Sequence, residues 1–204
     1  MKYKIQVPFL FFIFITTYTS VQCQIIVDTL KSKEDYIINT TVYKKGIYRS
    51  FIEFKYNNPS ITEEFFFREN KLWSKKGKKK LVYKKEEYWG FCDGEKIYVQ
   101  WDNKNWELLE KGRYCFFEVI EKYFSTPYDP NIAFSVTTYQ EDKDALIINF
   151  NNGMVFKLTK KLFRDILEID DPELLEEFNQ ETWKRSKLFD YIVKYNQRNT
   201  DKIK

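Results

Sequence analysis

Acid–base and metal chemistry are restricted in this chain, because its 204 residues include no histidine. Histidine is the usual general base near neutral pH and the commonest metal ligand. Its absence excludes Ser-His-Asp and Cys-His triads and histidine-ligated zinc sites within the chain. Any catalysis would depend on carboxylates, lysine, tyrosine or a thiol. The sequence has no metal-binding, phosphate-loop or nucleophile-elbow motif, so we expect no metal and no cofactor.

An aromatic stretch is the first candidate for a binding site. WGFCDGEKIYVQWDNKNW, residues 89–106, holds three of the five tryptophans and an Asp-Gly turn signal. Asp-Gly between two β-rich runs is typical of a two-residue type I′ turn. A turn at Asp93-Gly94 pairs Trp89 with Tyr98 in the predicted hairpin. A four-residue turn, DNKN at 102–105, then joins the second strand to a third.

The two-residue period of these strands predicts two different faces. Ile97, Val99 and Trp101 form a core face, on which Trp101 pairs with Trp106 across the second turn. The other face mixes aromatic and polar side chains, which suit a sugar or a peptide. Its ligand-surface candidates are Trp89, Phe91, Tyr98 and Gln100, accompanied by Lys96 and Glu107. The alternative interpretation is that a C-terminal helix covers this face as core.

Charged residues supply two further candidates. The run SKKGKKK has five lysines around a glycine, and it predicts either a polyanion patch or a solvated hairpin loop. These lysines are Lys75, Lys76, Lys78, Lys79 and Lys80. Glu107, Asp102 and Glu118 are candidates for a glycosidase-like hydrolase, which uses two acids a few ångströms apart. Because 31% of the residues are charged, such pairs also arise by chance.

Cys92 and Cys115 are predicted to remain unlinked. In a simple meander, a turn at Lys111-Gly112 places Cys115 opposite Leu108 and three strands away from Cys92. Three strand spacings amount to roughly 14 Å, whereas a disulfide needs Cα atoms within about 7 Å of each other.

Residues 1–23 have the order of a secretory signal peptide, with two lysines, an apolar run at 7–15 and a polar end. The apolar run falls short of the roughly 20 residues that span a bilayer, so we expect no transmembrane helix in the mature chain. The product is predicted to be exported: periplasmic, outer-membrane-associated or secreted. Cleavage after Cys23 would leave Gln24 at the new N-terminus, and lipid attachment at Cys23 is the alternative.

The mature chain is predicted to have an α+β fold, an antiparallel β-meander with a short N-terminal helix and C-terminal helices packed on it. Residues 24–158 form a mainly antiparallel β domain, with short strands at 25–26 and 37–38 and a loop around 127–130. Ser50 with Glu53 is a capping box that predicts a short helix. The NNG sequence at 151–153 predicts a hairpin.

Residues 159–204 change to a helical period and are predicted to pack on the same domain. Asp171 is the expected N-cap of a helix and Pro172 its first residue. We expect one long helix from there, with a bend allowed near 182–187. Its apolar stripe consists of Leu174, Phe178, Leu188, Ile192 and Tyr195.

Four segments together carry a resemblance to a known group. They are the export signal ending in Cys-Gln, GIYRSFIEFKYNNPS, YWGFCDGEKIYV, and DDPELLEEF followed by YIVKYNQRN. The chain resembles, over most of its mature length, small exported proteins of unknown function that are common in Bacteroidetes. The resemblance implies no catalytic residues.

The leading prediction is an exported, non-enzymatic domain that acts as a binding or structural module of the cell envelope or extracellular space. Its partner would be an envelope protein or a glycan. The formal net charge of +4 includes two lysines of the leader, so the mature chain is near neutral and nucleic acid is not an expected partner. The alternatives are a carboxylate-dependent hydrolase and a polyanion-binding module.

Overall fold

Residues 32–76, 78–125, 138–182 and 187–203 are described by the structure, a computed structural model. The predictions for the signal peptide at 1–23, the strand at 25–26 and the loop at 127–130 lie outside these residues. No helix within the described part of the chain is both long and apolar enough to cross a membrane.

In the described residues, ten antiparallel strands form two sheets that combine with helices, which confirms the α+β class. The strands are β1 (Gly46–Tyr48), β2 (Phe65–Arg68), β3 (Lys71–Lys76), β4 (Lys79–Val82), β5 (Gly90–Cys92), β6 (Ile97–Trp101), β7 (Lys104–Glu110), β8 (Tyr114–Ser125), β9 (Thr138–Asn149) and β10 (Val155–Lys157). The main sheet is curled, with seven strands in the order β1-β5-β6-β7-β8-β9-β10. The small sheet has the order β2-β3-β4, so that β4 is an edge strand.

Three apolar clusters hold these layers together, and strand alternation assigns each to a face of the main sheet. The first cluster covers one face and includes Phe117 and Leu146. The second lies under the C-terminal helices and includes Phe116 and Ile147, on the opposite face of the same strands. The third joins the small sheet to the main sheet around the fully buried Phe91.

The predicted short helix is confirmed as α1 (Phe51–Lys55). Ser50 is its N-cap, and the Ser50 side chain accepts a hydrogen bond from the amide of Glu53 at 3.3 Å. The Glu53 carboxylate accepts in turn from the backbone amide of Arg49 at 2.7 Å. Phe54 is fully buried in the first cluster, so α1 supplies part of the core on that face.

The turn that begins at Asp93 contains four residues instead of the predicted two. The β5–β6 register pairs Phe91 with Tyr98, so the predicted pairing of Trp89 with Tyr98 is wrong. The Asp93 carboxylate accepts hydrogen bonds from the backbone amides two and three residues later, at 2.9 and 2.7 Å. These bonds stabilise the longer loop, in which Gly94 has a φ of 110°.

The next turn is shorter than predicted. Asp102 and Asn103 have φ values of 47° and 57°, as a two-residue type I′ turn requires. Val99 therefore lies opposite Trp106, and the predicted pairing of Trp101 with Trp106 is wrong. Asp and Asn adopt the left-handed conformation more readily than most residues, so this pair forms the tight turn without glycine.

The connection between β7 and β8 is longer than predicted, because three residues separate the two strands instead of two. Leu108 therefore lies opposite Phe117, not opposite Cys115, and a bulge between Leu108 and Glu110 puts one extra residue into β7. Cys92 in β5 and Cys115 in β8 are buried free thiols, with β6 and β7 between their strands.

The C-terminal region forms separate helices, α2 (Lys160–Asp170), α3 (Pro172–Gln180) and α4 (Lys187–Arg198). The predicted single long helix is wrong, because Glu181 adopts an extended conformation (φ −67°, ψ 131°) and ends α3. Residues 183–186 lie outside the described residues. The predicted cap at Asp171 and the hairpin between β9 and β10 are confirmed. The predicted stripe, Leu174, Phe178, Leu188, Ile192 and Tyr195, is buried.

The N-terminal part of the described chain contains 3-10 turns at Lys33–Asp35 and Ile37–Asn39. The short strand predicted at 37–38 is therefore wrong. Ile37 is fully buried in the first cluster, where its side chain contributes to the core without any strand pairing.

Candidate functional site

The predicted ligand surface on β5 and β6 is a buried contact between the two sheets. Phe91 and Tyr98 do stack, with ring centroids 4.7 Å apart and an interplanar angle of 15°. Phe65 and Phe67 of the small sheet lie on Phe91, with centroids at 5.7 and 4.8 Å. The small sheet, rather than the C-terminal helices, thus covers this face. Gln100 is half-buried, and its backbone amide donates to the Trp89 carbonyl at 2.9 Å.

Trp89 is not part of this stack. Its ring lies on Phe54 of α1, with centroids 4.5 Å apart, in the first cluster. Trp89 precedes β5 at a bend, so the alternation that governs Phe91 does not extend to it. The structure therefore places Trp89 in one apolar cluster and Phe91 with Tyr98 in another, while Gln100 belongs to neither.

The predicted carboxylates are dispersed over turns and strands. Glu107 forms an exposed ion pair with Lys96 at 2.9 Å, Asp102 lies in the β6–β7 turn, and Glu118 is half-buried opposite Ala145. Burial raises the pKa of Glu110, which the sequence did not single out, and a hydrogen bond with Asn196 partly offsets this. Among the residues described, no group of three potential ligands could hold a metal ion.

The outer face of the small sheet is the strongest candidate site, and we call it the aromatic–basic face. Strand alternation places seven residues on it, facing away from the main sheet. They are Phe66, Arg68, Lys71, Trp73, Lys75, Lys80 and Val82. The β2–β3 turn that sets this register is a two-residue turn at Glu69 and Asn70, with φ values of 51° and 60°.

Two stacked rings form the centre of the aromatic–basic face. Phe66 and Trp73 have centroids 4.4 Å apart and an interplanar angle of 21°. The Lys80 ammonium lies 4.2 Å from the Trp73 centroid, and the Lys75 ammonium lies 5.7 Å from that of Phe66. Both rings are half-buried and both lysines are exposed. The result is an apolar plate with cationic groups held directly over it.

Like charges face each other across the strands of the small sheet. The register pairs Lys75 with Lys80 on β3 and β4, and Arg68 with Lys71 on β2 and β3. Directly opposed like charges destabilise a sheet. By contrast, the main sheet pairs Lys122 with Glu141 and closes an ion pair of 3.3 Å. Among the described residues, Lys71, Lys75 and Lys80 make no ion pair with a carboxylate.

The predicted basic loop contributes only in part to this face. Lys75 and Lys80 lie on the aromatic–basic face. Lys78 lies in the β3–β4 turn, and strand alternation places Lys79 on the opposite face of the small sheet. Gly77 and the side chain of Lys76 lie outside the described residues. Sequence reasoning missed the aromatic pair. The alternation in EFFFRENKLW was the signal that could have found it, because it puts Phe66 and Trp73 on the same side as the basic residues.

A polar junction connects the small sheet to the main sheet. The Asn70 side-chain oxygen accepts from the backbone amide of Asn105 at 2.7 Å and from its side chain at 3.1 Å. The Lys85 ammonium donates to the Asn70 carbonyl at 2.9 Å. Burial lowers the pKa of Lys85 to about 8. The Tyr88 hydroxyl completes the junction through a bond of 3.0 Å to Asn105.

A groove of about 430 Å³ opens on the face of the main sheet that holds the first cluster. Its lining residues are Trp101, Asp102, Val119, Glu121, Asp144, Leu146 and Lys157. Trp101 was predicted to be core, but the residue is 37% exposed and lines the groove. Ile97 and Val99, on the same strand face, are buried as predicted.

Comparisons of the chain with protein-family models, with curated proteins and with solved structures found no match. The aromatic–basic face and the groove are therefore interpreted from their own chemistry.

Proposed function

We propose that this protein is an exported, non-enzymatic binding module that holds an acidic polysaccharide on its aromatic–basic face. The opening leader-like segment and the resemblance to small exported Bacteroidetes proteins support export. The partner would be a glycan of the envelope or the extracellular space. The aromatic–basic face could bind a polyanion although the whole chain carries little net charge, because its cations are concentrated on one small sheet.

The observation that carries this proposal is the like-charge pairing across β2, β3 and β4. Each opposed pair costs the folded protein stability that an oppositely charged pair would not. An anion bound between Lys75 and Lys80 would attract both ammonium groups, so that this pair of charges would stabilise the complex. A polymer with a carboxylate on each sugar would also reach Arg68 and Lys71 on the neighbouring pair of strands.

The ring pair favours a sugar over a nucleic acid. A sugar needs no base-sized stacking site, because the lysines can bind its carboxylates while its apolar C–H surface covers the exposed part of the Phe66–Trp73 pair. A nucleic-acid base requires a free ring face for stacking. The Trp73 ring already has Phe66 at 4.4 Å and the Lys80 ammonium at 4.2 Å from its centroid, so a base would have to displace one of them.

Binding to polygalacturonate, with neutral dextran and oligothymidylate as comparison polymers, tests the proposal. We expect saturable binding to polygalacturonate that weakens as salt rises, and no binding to dextran. The double variant Lys75→Gln/Lys80→Gln should weaken binding about tenfold at low salt, because two ionic contacts are lost. The matched control is Lys160→Gln/Lys161→Gln, which removes the same charge from α2 and should leave binding within about twofold.

Three results would overturn the proposal. One is the absence of saturable binding to polygalacturonate. Another is equal weakening by the two double variants, which would mean that only net charge matters. The third is tighter binding to oligothymidylate than to polygalacturonate, which would identify a nucleic-acid surface instead.

A further inference from the structure

The groove on the main sheet differs from the aromatic–basic face in position and in charge. Val119 of β8 and Leu146 of β9 belong to the first apolar cluster and line the groove. Trp101 stands at the end of β6, where the strand enters the tight β6–β7 turn. The groove therefore offers apolar surface and one accessible aromatic ring.

Carboxylates dominate the charge of the groove. Asp102, Glu121 and Asp144 line it, against a single cation, Lys157. The Lys157 ammonium lies 2.7 Å from an Asp144 oxygen, so one carboxylate already has a cationic partner. The β8–β9 register places Glu121 opposite Asp142, so a further acid lies next to the three that line the groove. The balance of charge along the groove is negative.

We propose that this groove binds a basic side chain, a lysine or arginine presented by a peptide segment. The aliphatic stem of such a side chain would cover Val119 and Leu146, as long basic side chains do on apolar surfaces. Its cationic end would lie near Glu121 and against the Trp101 ring, where a charge–quadrupole attraction adds to the ion pair. The volume of about 430 Å³ accommodates one such side chain with adjacent backbone.

Charge complementarity decides between occupants. An acidic polysaccharide would bring carboxylates next to Glu121 and Asp142 and would be repelled. A neutral ligand would bring no cation to the Glu121 carboxylate. A basic peptide provides both the stem for the apolar surface and the charge for the acids. The groove is separate from the aromatic–basic face, and neither proposal requires the other.

Fluorine NMR of protein labelled with 5-fluorotryptophan tests the groove directly, with tetralysine as the probe. Substitution of each tryptophan by phenylalanine assigns the five resonances. Tetralysine should shift the Trp101 resonance in a saturable manner and leave that of Trp73 in place. Polygalacturonate should do the reverse, so failure of one proposal is distinguishable from failure of the other.

Two charge-matched variants complete the test. Glu121→Gln should weaken tetralysine binding at least about fivefold, because it removes the acid nearest the proposed ammonium position. Glu176→Gln, an exposed position on α3, removes the same charge and should leave the affinity within about twofold. If both variants unfold at the same temperature as the wild type, a difference in tetralysine affinity reflects binding and not a loss of folded protein.

The groove proposal is overturned if tetralysine leaves the Trp101 resonance unmoved, or if the two variants weaken binding equally. A third contrary result is self-association without peptide that Glu121→Gln abolishes, since the occupant would then be a second copy of the chain.

Discussion

Asn70 shows how much one residue can contribute to the arrangement of two sheets. Its left-handed backbone, with φ of 60°, completes the β2–β3 turn, and its side chain binds Asn105 of β7. The Lys85 ammonium reaches both the carbonyl and the side-chain oxygen of Asn70, at 2.9 and 3.2 Å. The small sheet is thereby fixed to the main sheet at the turn as well as through the apolar contact around Phe91.

The half-buried position of Lys85 has a testable effect on pH-dependent stability. Its folded pKa of about 8 lies below the ordinary 10.5, because burial disfavours the charged form. Between these values the unfolded chain binds more protons than the folded chain, so stability contributed by this group rises with pH. We expect wild-type protein to gain stability relative to Lys85→Met between pH 8 and pH 10.

Urea unfolding of both proteins across that range measures the effect. The tyrosines with raised pKa values, such as Tyr48 and Tyr88, are common to both chains and cancel in the difference. A difference that stays constant from pH 8 to pH 10 would contradict the expected titration of Lys85.

At the scale of elements, the junction between α3 and α4 depends on Asp171. Its carboxylate accepts from the Leu174 amide at 3.1 Å and from the Arg198 guanidinium at 2.9 and 3.0 Å. Asn199 donates to the same carboxylate at 3.1 Å. Burial would raise the pKa of Asp171, but the hydrogen bonds from Leu174, Asn199 and Arg198 together lower it. One residue thus caps α3 and holds the end of α4.

Asp171→Ala should lower the free energy of unfolding by about 2 to 3 kcal/mol, because a cap and buried charge-assisted bonds are lost together. Thr159→Ala is the matched control. Thr159 caps α2 through one bond of 3.1 Å from Leu162 and lies exposed, so its loss should cost about 1 kcal/mol. Equal losses in chemical denaturation would contradict the linking role of Asp171.

The starts of α1 and α3 were predictable from the sequence because caps act locally, whereas the separate start of α4 was not predicted. Ser50 and Asp171 each bind an amide three residues ahead, and the sequence shows both partners. Turn lengths were not predictable, because Asp-Gly and Asp-Asn each allow two-residue and four-residue turns. The carboxylate bonds of Asp93 favour the longer form, whereas positive φ values at Asp102 and Asn103 favour the shorter.

The candidate site was less predictable than the fold. The lysine run was visible, but its meaning depends on which face of the small sheet points outward, and the packing of that sheet on the main sheet decides this. Phe91 looked accessible because nothing in its own hairpin covers it. Only the packing of Phe65 and Phe67 from a separate sheet makes it core. Such contacts between distant segments leave no local pattern in the sequence.

At the scale of the whole molecule, the strand order separates the two thiols. Cys92 and Cys115 lie on β5 and β8, with two strands between them. That separation corresponds to roughly 14 Å, too far for a disulfide. Burial raises the pKa of Cys115 to about 12 and also raises that of Cys92, so both thiols are poor nucleophiles.

Ellman's reagent should therefore react with neither thiol in the folded protein and with both after unfolding in guanidinium. Peptide mapping without reduction should recover Cys92 and Cys115 unlinked, even from protein exported into an oxidising compartment. A bridged peptide would contradict the strand order of the main sheet.

The open side of β4 has a consequence for solubility. Tyr83 and Leu72 form a hydrogen-bonded pair, because the Tyr83 amide donates to the Leu72 carbonyl. Hydrogen-bonded and non-hydrogen-bonded pairs alternate along an antiparallel ladder, so the backbone groups of Lys80 and Val82 point away from β3. Such an edge can add a strand from another molecule, and lysines on the edge oppose this by mutual repulsion. A polyanion that neutralises Lys80 would remove that repulsion while it gathers many copies along its length. If the proposed polysaccharide binds this face, its capture and the clustering of bound molecules into a coat would depend on the same charges.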